Sequence, residues 1–263
     1  MIVKALMENT ACSRDFRTEH GLSLYIEACC RKILFDMGQS RAFAENAQKM
    51  GVSLDAVDFA VLSHGHYDHG GGLSAFLTEN DHAPVYVSRH AFEKHGNAAG
   101  KEIGLAPELA SDPRLVYTDA YYQIDDGLEL SSCNERERRF PVDSAGLTMS
   151  VEGRTLPEDF RHEQYLQIRE NGRRILISGC SHKGVLNLLE WFEPDVLIGG
   201  FHFMKADPKG AGKRLLDEAA QYLTRRKTLY YTCHCTGAAQ YEYLKKIMKE
   251  QLRYLSCGQT VAL

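Results

Sequence analysis

The chain has 263 residues, of which 44% are hydrophobic and 25% charged, ordinary proportions for a globular protein with a large buried core. Its 31 basic and 35 acidic residues give a formal charge of −4, which argues against a nucleic-acid-binding protein that neutralises phosphates. No apolar stretch approaches the roughly 20 residues that cross a bilayer, and the first residues lack a signal-peptide core. We therefore expect a cytoplasmic protein with reduced cysteines and with neither a nucleic-acid nor a membrane partner.

The first part of the chain carries patterns typical of alternating strands and helices. In chain order they predict strands over residues 22–28 and 32–36, a helix from Ser40 to about Met50, a buried strand over 57–63, a helix over 73–79 and a strand over 85–88. The segment 90–161 contains four prolines and a run of charges. Loops and short strands are expected there.

The last hundred residues repeat this plan. They predict strands over residues 165–169 and 174–178 joined at Asn171-Gly172, a helix over 184–192, a strand over 195–198, a helix over 211–223, a strand over 228–232, a helix from 238 to about 249 and a strand near 260–263. Each half runs strand, strand, helix, strand and then a turn with histidine. We expect one α/β domain, residues 1–263, whose similar halves (roughly 1–90 and 160–263) build two sheets packed face to face with helices outside.

The turn after the buried strand 57–63 concentrates side chains that bind metals. His64, His66, Asp68 and His69 lie within six residues. In an extended chain, residues two apart point the same way, so His64 and His66 can share one ion. Asp68 and His69 lie beyond the bend and can serve a second ion. The alternative is a solvated polar loop, but turns that follow buried strands are where functional sites collect.

The pattern His-x-His-x-Asp-His after a buried strand resembles the signature of the metallo-β-lactamase superfamily. The resemblance spans essentially the whole chain and implies a four-layer αββα sandwich of two mixed sheets with outer helices and one or two metal ions at the sheet edge. It also implies that Asp36, at the end of the second predicted strand, hydrogen-bonds a ligand histidine. It does not fix the reaction, because the superfamily includes thioesterases, lactonases, nucleases, phosphodiesterases and oxidoreductases.

The second half departs from the usual pattern of that superfamily. Cys180 stands where an aspartate that bridges two metals is expected, so it is either a ligating thiolate or a buried small residue. The resemblance implies that His182 supplies the third histidine ligand, whereas His162 is expected at the surface. When the sequences of the two halves are aligned, His202 falls within one residue of His64. It is therefore expected to be an outer ligand, a substrate contact or a buried histidine.

The last buried strand is followed by His234, where the resemblance implies the final histidine ligand. If the chain is extended there, Cys233 and Cys235 point away from it, which disfavours a Cys-His-Cys zinc site. The remaining histidines lack such a placement and are expected at the surface: His20, His82, His90 and His95. The segments GCSHKGVLN, GGFHF and CHCTG further resemble a group related to 7,8-dihydropterin-6-methyl-4-(β-D-ribofuranosyl)-aminobenzene-5′-phosphate synthase.

A divalent ion held by histidines and carboxylates lowers the pKa of bound water to around 7 and supplies hydroxide at neutral pH. Zinc is the first candidate, with manganese, iron or magnesium as alternatives. Asp68 would be catalytic, positioning that hydroxide or accepting a proton. Lys183, Thr236 and Gly237 lie where two predicted helices begin, and the free N–H groups there suit an anion such as phosphate. Lys205 would assist.

These features predict a metal-dependent hydrolase that acts on a small anionic or phosphorylated ester. Two alternatives remain open. One is a transferase of the dihydropterin-synthase type that displaces diphosphate, and the other is a binding or sensing protein whose metal site has decayed.

Overall fold

The computed structural model describes residues 1–263 and contains two seven-stranded sheets and one three-stranded sheet. The strands are β1 (Ile2–Met7), β2 (Ser23–Ala28), β3 (Arg31–Phe35), β4 (Phe59–Val61), β5 (Val85–Ser88), β6 (His95–Gly96), β7 (Leu115–Thr118), β8 (Tyr121–Asp125), β9 (Leu128–Ser131), β10 (Thr148–Val151), β11 (Arg154–Pro157), β12 (Tyr165–Glu170), β13 (Arg173–Ile177), β14 (Val196–Gly199), β15 (Leu229–Thr232), β16 (Leu252–Tyr254) and β17 (Thr260–Ala262). The helices are α1 (Ala42–Lys49), α2 (Tyr67–Gly70), α3 (Leu73–Glu79), α4 (Val185–Phe192), α5 (Lys213–Thr224) and α6 (Ala238–Met248). None of them has both the length and the apolar character that crossing a membrane requires.

The two large sheets share one plan. The first has the order β17-β1-β2-β3-β4-β5-β7, and the second has the order β16-β15-β14-β13-β12-β9-β8. In the first sheet β2 and β3 form an antiparallel pair, and β4, β5 and β7 continue parallel to β3. In the second, β12 and β13 form the antiparallel pair, and β14, β15 and β16 continue parallel to β13. Both sheets are therefore mixed, as predicted.

Alternating side chains divide the buried residues into layers. On β3, Phe35 faces the core between the two sheets, whereas Leu34 faces a second core beneath α1 and α3. On β13, Ile177 faces the same core between the sheets, and Leu176 faces a third core beneath α4, α5 and α6. Because side chains of a strand alternate between faces, each sheet covers one side of the central core. The predicted four-layer αββα sandwich is confirmed.

The sequence patterns did not predict the structure of two parts of the chain. Residues 2–7 form the buried strand β1 although Lys4 interrupts the apolar run, because its Nζ donates to the Met50 carbonyl 3.1 Å away. The irregular middle supplies short strands as predicted, but to three different sheets: β7 joins the first, β8 and β9 join the second, and β6, β10 and β11 form the small third sheet. The C-terminal strand β17 returns to the first sheet beside β1.

This topology brings the turns of both halves to one edge. Strands β3, β4, β13, β14 and β15 all end at that edge, and the carboxyl ends of parallel strands are where α/β proteins place their sites. The residues that follow β3, β14 and β15 include Asp36, His202 and His234. All three have a left-handed backbone, with φ of 60°, 56° and 47° respectively. Such conformations are strained for residues other than glycine and cluster at functional sites.

We expect replacement of Ile198 by alanine to destabilise the protein by about 2–5 kcal/mol, because it leaves a cavity between the sheets where this side chain is fully buried. Ile247→Ala, at a 37% exposed position on α6, is the matched control and should cost less than about 1 kcal/mol. Urea unfolding of both variants measures the difference. Equal losses would contradict the placement of Ile198 in the central core.

Candidate metal centre

Asp36 is the buried carboxylate around which the first half of the site is built. It accepts hydrogen bonds from Ser63 N and Ser63 Oγ, both at 2.7 Å, and from His69 Nδ1 at 2.6 Å. Its side chain and that of His69 are fully buried. A buried carboxylate requires such donors to compensate its lost hydration. The predicted bond from Asp36 to a histidine of the motif is present, and it is made to His69.

These bonds fix which nitrogen of each ring carries the proton. The Ser63 hydroxyl donates to Asp36, so at 2.8 Å it accepts from His64 Nδ1–H. His69 donates its own Nδ1–H to Asp36. In both rings the neutral form then keeps its lone pair on Nε2. The Nε2 atom of His64 is buried and has no hydrogen-bond partner in the protein.

His234 brings a third such lone pair from the second half of the chain. Its Nδ1 lies 2.9 Å from Asn9 Oδ1, and its backbone N–H donates to the buried carboxylate of Glu8 at 2.6 Å. The Nε2 atoms of His234 and His69 are 3.2 Å apart, and Cys180 Sγ lies 3.2 Å from His69 Nε2. Two lone pairs and a thiol at this separation attract a cation. Cys180 therefore lies inside the cluster.

Two further histidines lie on the other side of His64. The ring centroids of His66 and His182 lie 4.6 and 4.9 Å from that of His64, and donor atoms of the three residues lie within 4.8 Å of one another. His182 stacks on Phe160 at 4.6 Å with an interplanar angle of 8°, and neither of its buried ring nitrogens has a partner. Between His64 and His66 only glycine fits, because a Cβ on Gly65 would lie 2.1 Å from the Ala91 carbonyl oxygen.

Burial keeps these imidazoles neutral. Desolvation lowers the pKa of His64 and of His182 well below the ordinary value, and it lowers the pKa of His66 to about 3. His202, half-buried with its ring 4.3 Å from that of His182, has a pKa lowered to about 4, mainly by desolvation. Neutral imidazoles keep a free lone pair, which is the form that binds metals.

Asp68 carries the negative charge of the cluster. Its Oδ2 lies 3.3 Å from His234 Nε2, 3.4 Å from His20 Nε2 and 3.8 Å from His69 Nε2. Burial alone would raise the pKa of Asp68, but His69 and His234 outweigh burial and hold that pKa below its usual range. For His234 the balance is reversed: burial lowers its pKa, while the bond to Asp68 and the neighbouring Cys235 raise it overall. The negative charge of Asp68 therefore stabilises positive charge at His234 Nε2, 3.3 Å away.

The donor set fits one or two divalent ions. His64, His66 and His182 form one group of close donor atoms, and Asp68 with His20 and His234 forms another. Cys180 lies in groups with His64 and His69 and with His234 and Cys235. Uncharged imidazoles, one carboxylate and a thiol are the ligands that zinc prefers in proteins.

A cavity of about 250 Å³ opens above these residues. Besides the site residues, seven further residues line it: Tyr67, Asn97, Ile103, Ala145, Leu147, Met204 and Lys205. Such a space is suited to a small molecule.

The predicted anion site at the two helix starts is wrong. Lys183 is fully buried, its Nζ donates to the carbonyls of Ser132 at 2.6 Å and Glu163 at 2.8 Å, and burial lowers its pKa to about 8. The N–H groups of His182 and Lys183, just before α4, donate to the Glu163 carboxylate at 2.7 and 3.0 Å. The anion at this turn is therefore the protein's own buried glutamate.

The start of α6 is also occupied by internal contacts. The Thr236 hydroxyl accepts from Phe201 N at 2.8 Å and hydrogen-bonds Thr232 at 2.5 Å. The Gly237 N–H donates to the His234 carbonyl, and a Cβ on this glycine would lie 2.2 Å from Gln240 Oε1. Neither residue lines the cavity. Their role is to shape the turn that carries His234.

Several residues expected at the surface lie elsewhere. His162 and His95 are buried, with 0% and 2% exposure, because residues 95–96 and 148–157 form the small sheet that covers this edge. His90 is half-buried, and His82 is exposed as predicted. His20 is exposed, yet it reaches Asp68 at the mouth of the cavity.

The two cysteines beside His234 do not share one orientation. Cys233 faces the core between the sheets, whereas Cys235 lines the cavity. A short 3₁₀ turn over His234–Thr236 replaces the extended chain on which the sequence prediction depended. Cys235 Sγ lies 3.4 Å from the Cys180 carbonyl oxygen.

One sequence signal could have located His162. It precedes β12, and the turn at Asn171-Gly172 makes β12 antiparallel to β13. The start of β12 must therefore lie beside the end of β13, where Cys180 and His182 follow. No comparable local signal exists for His95 or Glu158, because they reach the site through the third sheet.

Comparison with known proteins agrees with this architecture. A family model described as the metallo-beta-lactamase superfamily matches residues 17–217, and the chain therefore belongs to that superfamily. Over 247 residues it is 29% identical to an uncharacterized protein from Methanocaldococcus jannaschii, covering 90% of this chain and 91% of that one.

Two named proteins are similar over nearly the whole chain. The 7,8-dihydropterin-6-methyl-4-(beta-D-ribofuranosyl)-aminobenzene-5′-phosphate synthase of Methanocaldococcus jannaschii is 26% identical over 274 residues, covering 94% of this chain and 90% of that protein. The crystal structure of a metal-dependent hydrolase of the beta-lactamase superfamily superimposes with a TM-score of 0.84 at 23% identity, over 100% of this chain and 99% of that one. The resemblances inferred from the motifs are confirmed, and the structural match establishes the fold.

We expect the metal-free protein to lose stability as the pH falls below about 6.5. The pKa of His66 is about 3 in the folded protein and about 6.5 when unfolded. Between these values the unfolded chain binds a proton that the folded one does not, which costs about 1.4 kcal/mol per pH unit. Urea unfolding at pH 7, 6 and 5 should show a shallower pH dependence in His66→Gln than in the exposed-site control His82→Gln. Identical slopes would show that His66 is not held neutral by burial.

Proposed function

We propose that the protein is a metal-dependent hydrolase of a small anionic or phosphorylated ester. The observation that carries this proposal is the convergence of buried, neutral histidines from both halves of the chain beside one ionised aspartate at the floor of a cavity. A site built only for stability would pair these lone pairs with donors, because unpaired buried polar atoms are costly.

One or two divalent ions, zinc first, would be held by His64, His66 and His182 and by Asp68, His69 and His234. Cys180 would replace the bridging aspartate of other superfamily members. When bound, such an ion lowers the pKa of a water molecule and polarises an ester or phosphoester oxygen.

The chain's own groups then orient and recognise the substrate. Asp68 is held as a carboxylate by His69 and His234, so at neutral pH it accepts hydrogen bonds and positions a nucleophile rather than storing a proton. Lys205 is the only lysine or arginine that lines the cavity, and its Nζ donates to the Ala145 carbonyl at 2.8 Å. An anionic group of the substrate would bind there, while Ile103, Leu147 and Met204 contact its apolar part.

The second candidate is a transferase that displaces diphosphate, and the name of the 26% identical relative favours it. Both candidates use the same metal ligands and both need a cation beside the anionic substrate. They differ in whether water or an arylamine is the nucleophile. A binding or sensing protein with a decayed metal site is the third candidate, but the ligand side chains it would have lost are present.

We expect protein purified without chelator or affinity tag to contain zinc or another divalent ion by elemental analysis. It should turn over a member of a panel of phosphomonoesters, phosphodiesters and carboxylic esters. His66→Ala should lower kcat/KM by at least about 100-fold, because it removes one of the proposed ligands. The exposed-site control His82→Ala should retain full turnover.

The alternatives give different results. If the protein joins a pterin diphosphate to an arylamine and hydrolyses no ester, the proposed hydrolase function is wrong and the transferase function is supported. Protein that holds no metal, and whose stability and ligand binding are unchanged in His64→Ala, would overturn both in favour of the sensing role.

We expect Lys205→Gln to raise KM for an anionic substrate about threefold to tenfold while kcat changes little, because one charge-assisted contact at an exposed position is lost. Lys209→Gln, at an exposed position four residues later, is the control. Steady-state kinetics with a charged and a neutral ester measure the effect. An equal rise in KM for the neutral ester would exclude charge recognition by Lys205.

A further inference from the structure

A second buried polar cluster lies behind His66, on the side away from the cavity. It consists of His66, His95, Glu158 and His162, whose donor atoms lie within 4.8 Å of one another. The rings of His95 and His162 stack at 4.0 Å with an interplanar angle of 24°. His95 belongs to β6, and Glu158 directly follows β11, so the small third sheet supplies both. Nothing in the proposed reaction uses His95, Glu158 or His162.

The hydrogen bonds of the cluster determine where its protons lie. His162 Nδ1 accepts the backbone N–H of Gly65 at 2.8 Å, so the proton of its neutral ring is on Nε2. That nitrogen is buried without a hydrogen-bond partner, since the nearby Glu158 Oε1 is 3.7 Å away and accepts instead from Phe160 N at 3.1 Å. His162 therefore offers the cluster an N–H group and no lone pair.

His95 has the opposite arrangement. Its Nδ1 lies 2.7 Å from Glu158 Oε2, and because a carboxylate only accepts, the proton is on Nδ1. The Nε2 atom of His95 then carries a lone pair, and it is buried without a partner. His66 Nε2 is likewise buried without a partner, whereas its Nδ1 is the ring nitrogen directed to the cavity that His66 lines. The ring centroids of His66 and His95 are 5.5 Å apart.

We propose that His95 and Glu158 are positioning residues for His66: His66 Nε2–H donates to His95 Nε2, and His95 Nδ1–H donates to Glu158. This chain leaves the lone pair of His66 on Nδ1, directed at the cavity where the proposed function requires a metal ligand. It also assigns a role to the small third sheet, which supplies His95 and Glu158. A histidine ligand whose other nitrogen is held by such a partner binds metal more tightly.

The same four side chains do not suit a metal ion of their own. An ion would require the Nε2 lone pair of His162, but the Gly65 N–H occupies Nδ1 and places the ring proton on Nε2. Only His95 Nε2 and the Glu158 oxygens remain as free acceptors, and His66 Nε2–H supplies the matching donor. The proposed bond would thus pair two ring nitrogens, His66 Nε2 and His95 Nε2, that are buried without a partner in this structure.

The test uses metal-free protein labelled with ¹⁵N at histidine, in which long-range ¹H–¹⁵N NMR reports the nitrogen that carries the proton. We expect His66 in the wild-type protein to be protonated on Nε2. His95→Leu should abolish this preference, and His95→Gln should restore it, because the Gln oxygen accepts and its amide donates. His90→Leu is the matched control, since His90 forms a similar pair with Glu93 at 2.6 Å outside the cluster.

A second measurement does not depend on NMR or on turnover. Competition between the protein and a chelator should show zinc bound about 10- to 100-fold more weakly in His95→Leu. The affinity should be nearly unchanged in His90→Leu and intermediate in Glu158→Gln, which keeps an acceptor but removes the charge. Glu158→Gln and His95→Gln also keep the test open if His95→Leu does not fold.

Two results would overturn the proposal. One is an unchanged His66 tautomer in folded His95→Leu. The other is an ion retained by the double variant His64→Ala/His182→Ala but lost on further replacement of His95, since the cluster would then bind its own metal. The positioning role and the proposed function fail separately. If the wild-type protein binds no zinc, the tautomer of His66 still decides whether His95 and Glu158 position it.

Discussion

The buried carboxylate of Asp36 is the interaction on which the geometry of the site depends. It binds the hydroxyl of Ser63 and the Nδ1–H of His69, and through that hydroxyl it also fixes the ring of His64. A single charge, satisfied by three hydrogen bonds, therefore directs two Nε2 lone pairs towards the second half of the chain. The left-handed backbone of Asp36, with φ of 60°, is the local strain that this arrangement maintains.

Buried glutamates have the corresponding role in the second half. Glu163 accepts the N–H groups of His182 and Lys183, and Glu8 accepts the N–H of His234. Turns that end at strand edges expose unpaired N–H groups, and these groups are what a bound phosphate would use. Here the carboxylates of Glu163 and Glu8 accept hydrogen bonds from these N–H groups. The bonds hold the turns that carry His182 and His234 in place, and they leave the same N–H groups unable to bind an external anion. Under the proposed function, recognition of a charged substrate would then fall to Lys205, which lines the cavity.

The motif residues could be predicted from the sequence because their signals are local. Spacing alone placed His64 and His66 together, and the similar plan of the two halves predicted that their turns meet at one edge. The family resemblance then indicated His182 and His234 within those turns. The prediction that His95 and His162 lie at the surface was wrong, because both are buried. The sequence pattern assigns neither residue to a strand of the two main sheets. Both are buried because the small third sheet covers this edge. The helix starts were predicted correctly as elements, but the N–H groups of His182 and Lys183 before α4 already donate to the distant Glu163 carboxylate, and Gly237 N–H before α6 donates to the His234 carbonyl.

The sequence by itself determined the class of fold, the order along the chain of many of its strands and helices, and the motif that gathers histidines and an aspartate in the turn after β4. Those properties depend on periodicity and on spacing within a few residues. The tertiary structure decided which nitrogen of each histidine is free and which charges are already paired. These depend on contacts between residues far apart in the chain, such as Glu158 with His95 and Asn9 with His234. Which ring nitrogen carries the proton depends on the hydrogen-bond partner that lies beside it in the folded protein. Short sequence patterns do not identify that partner.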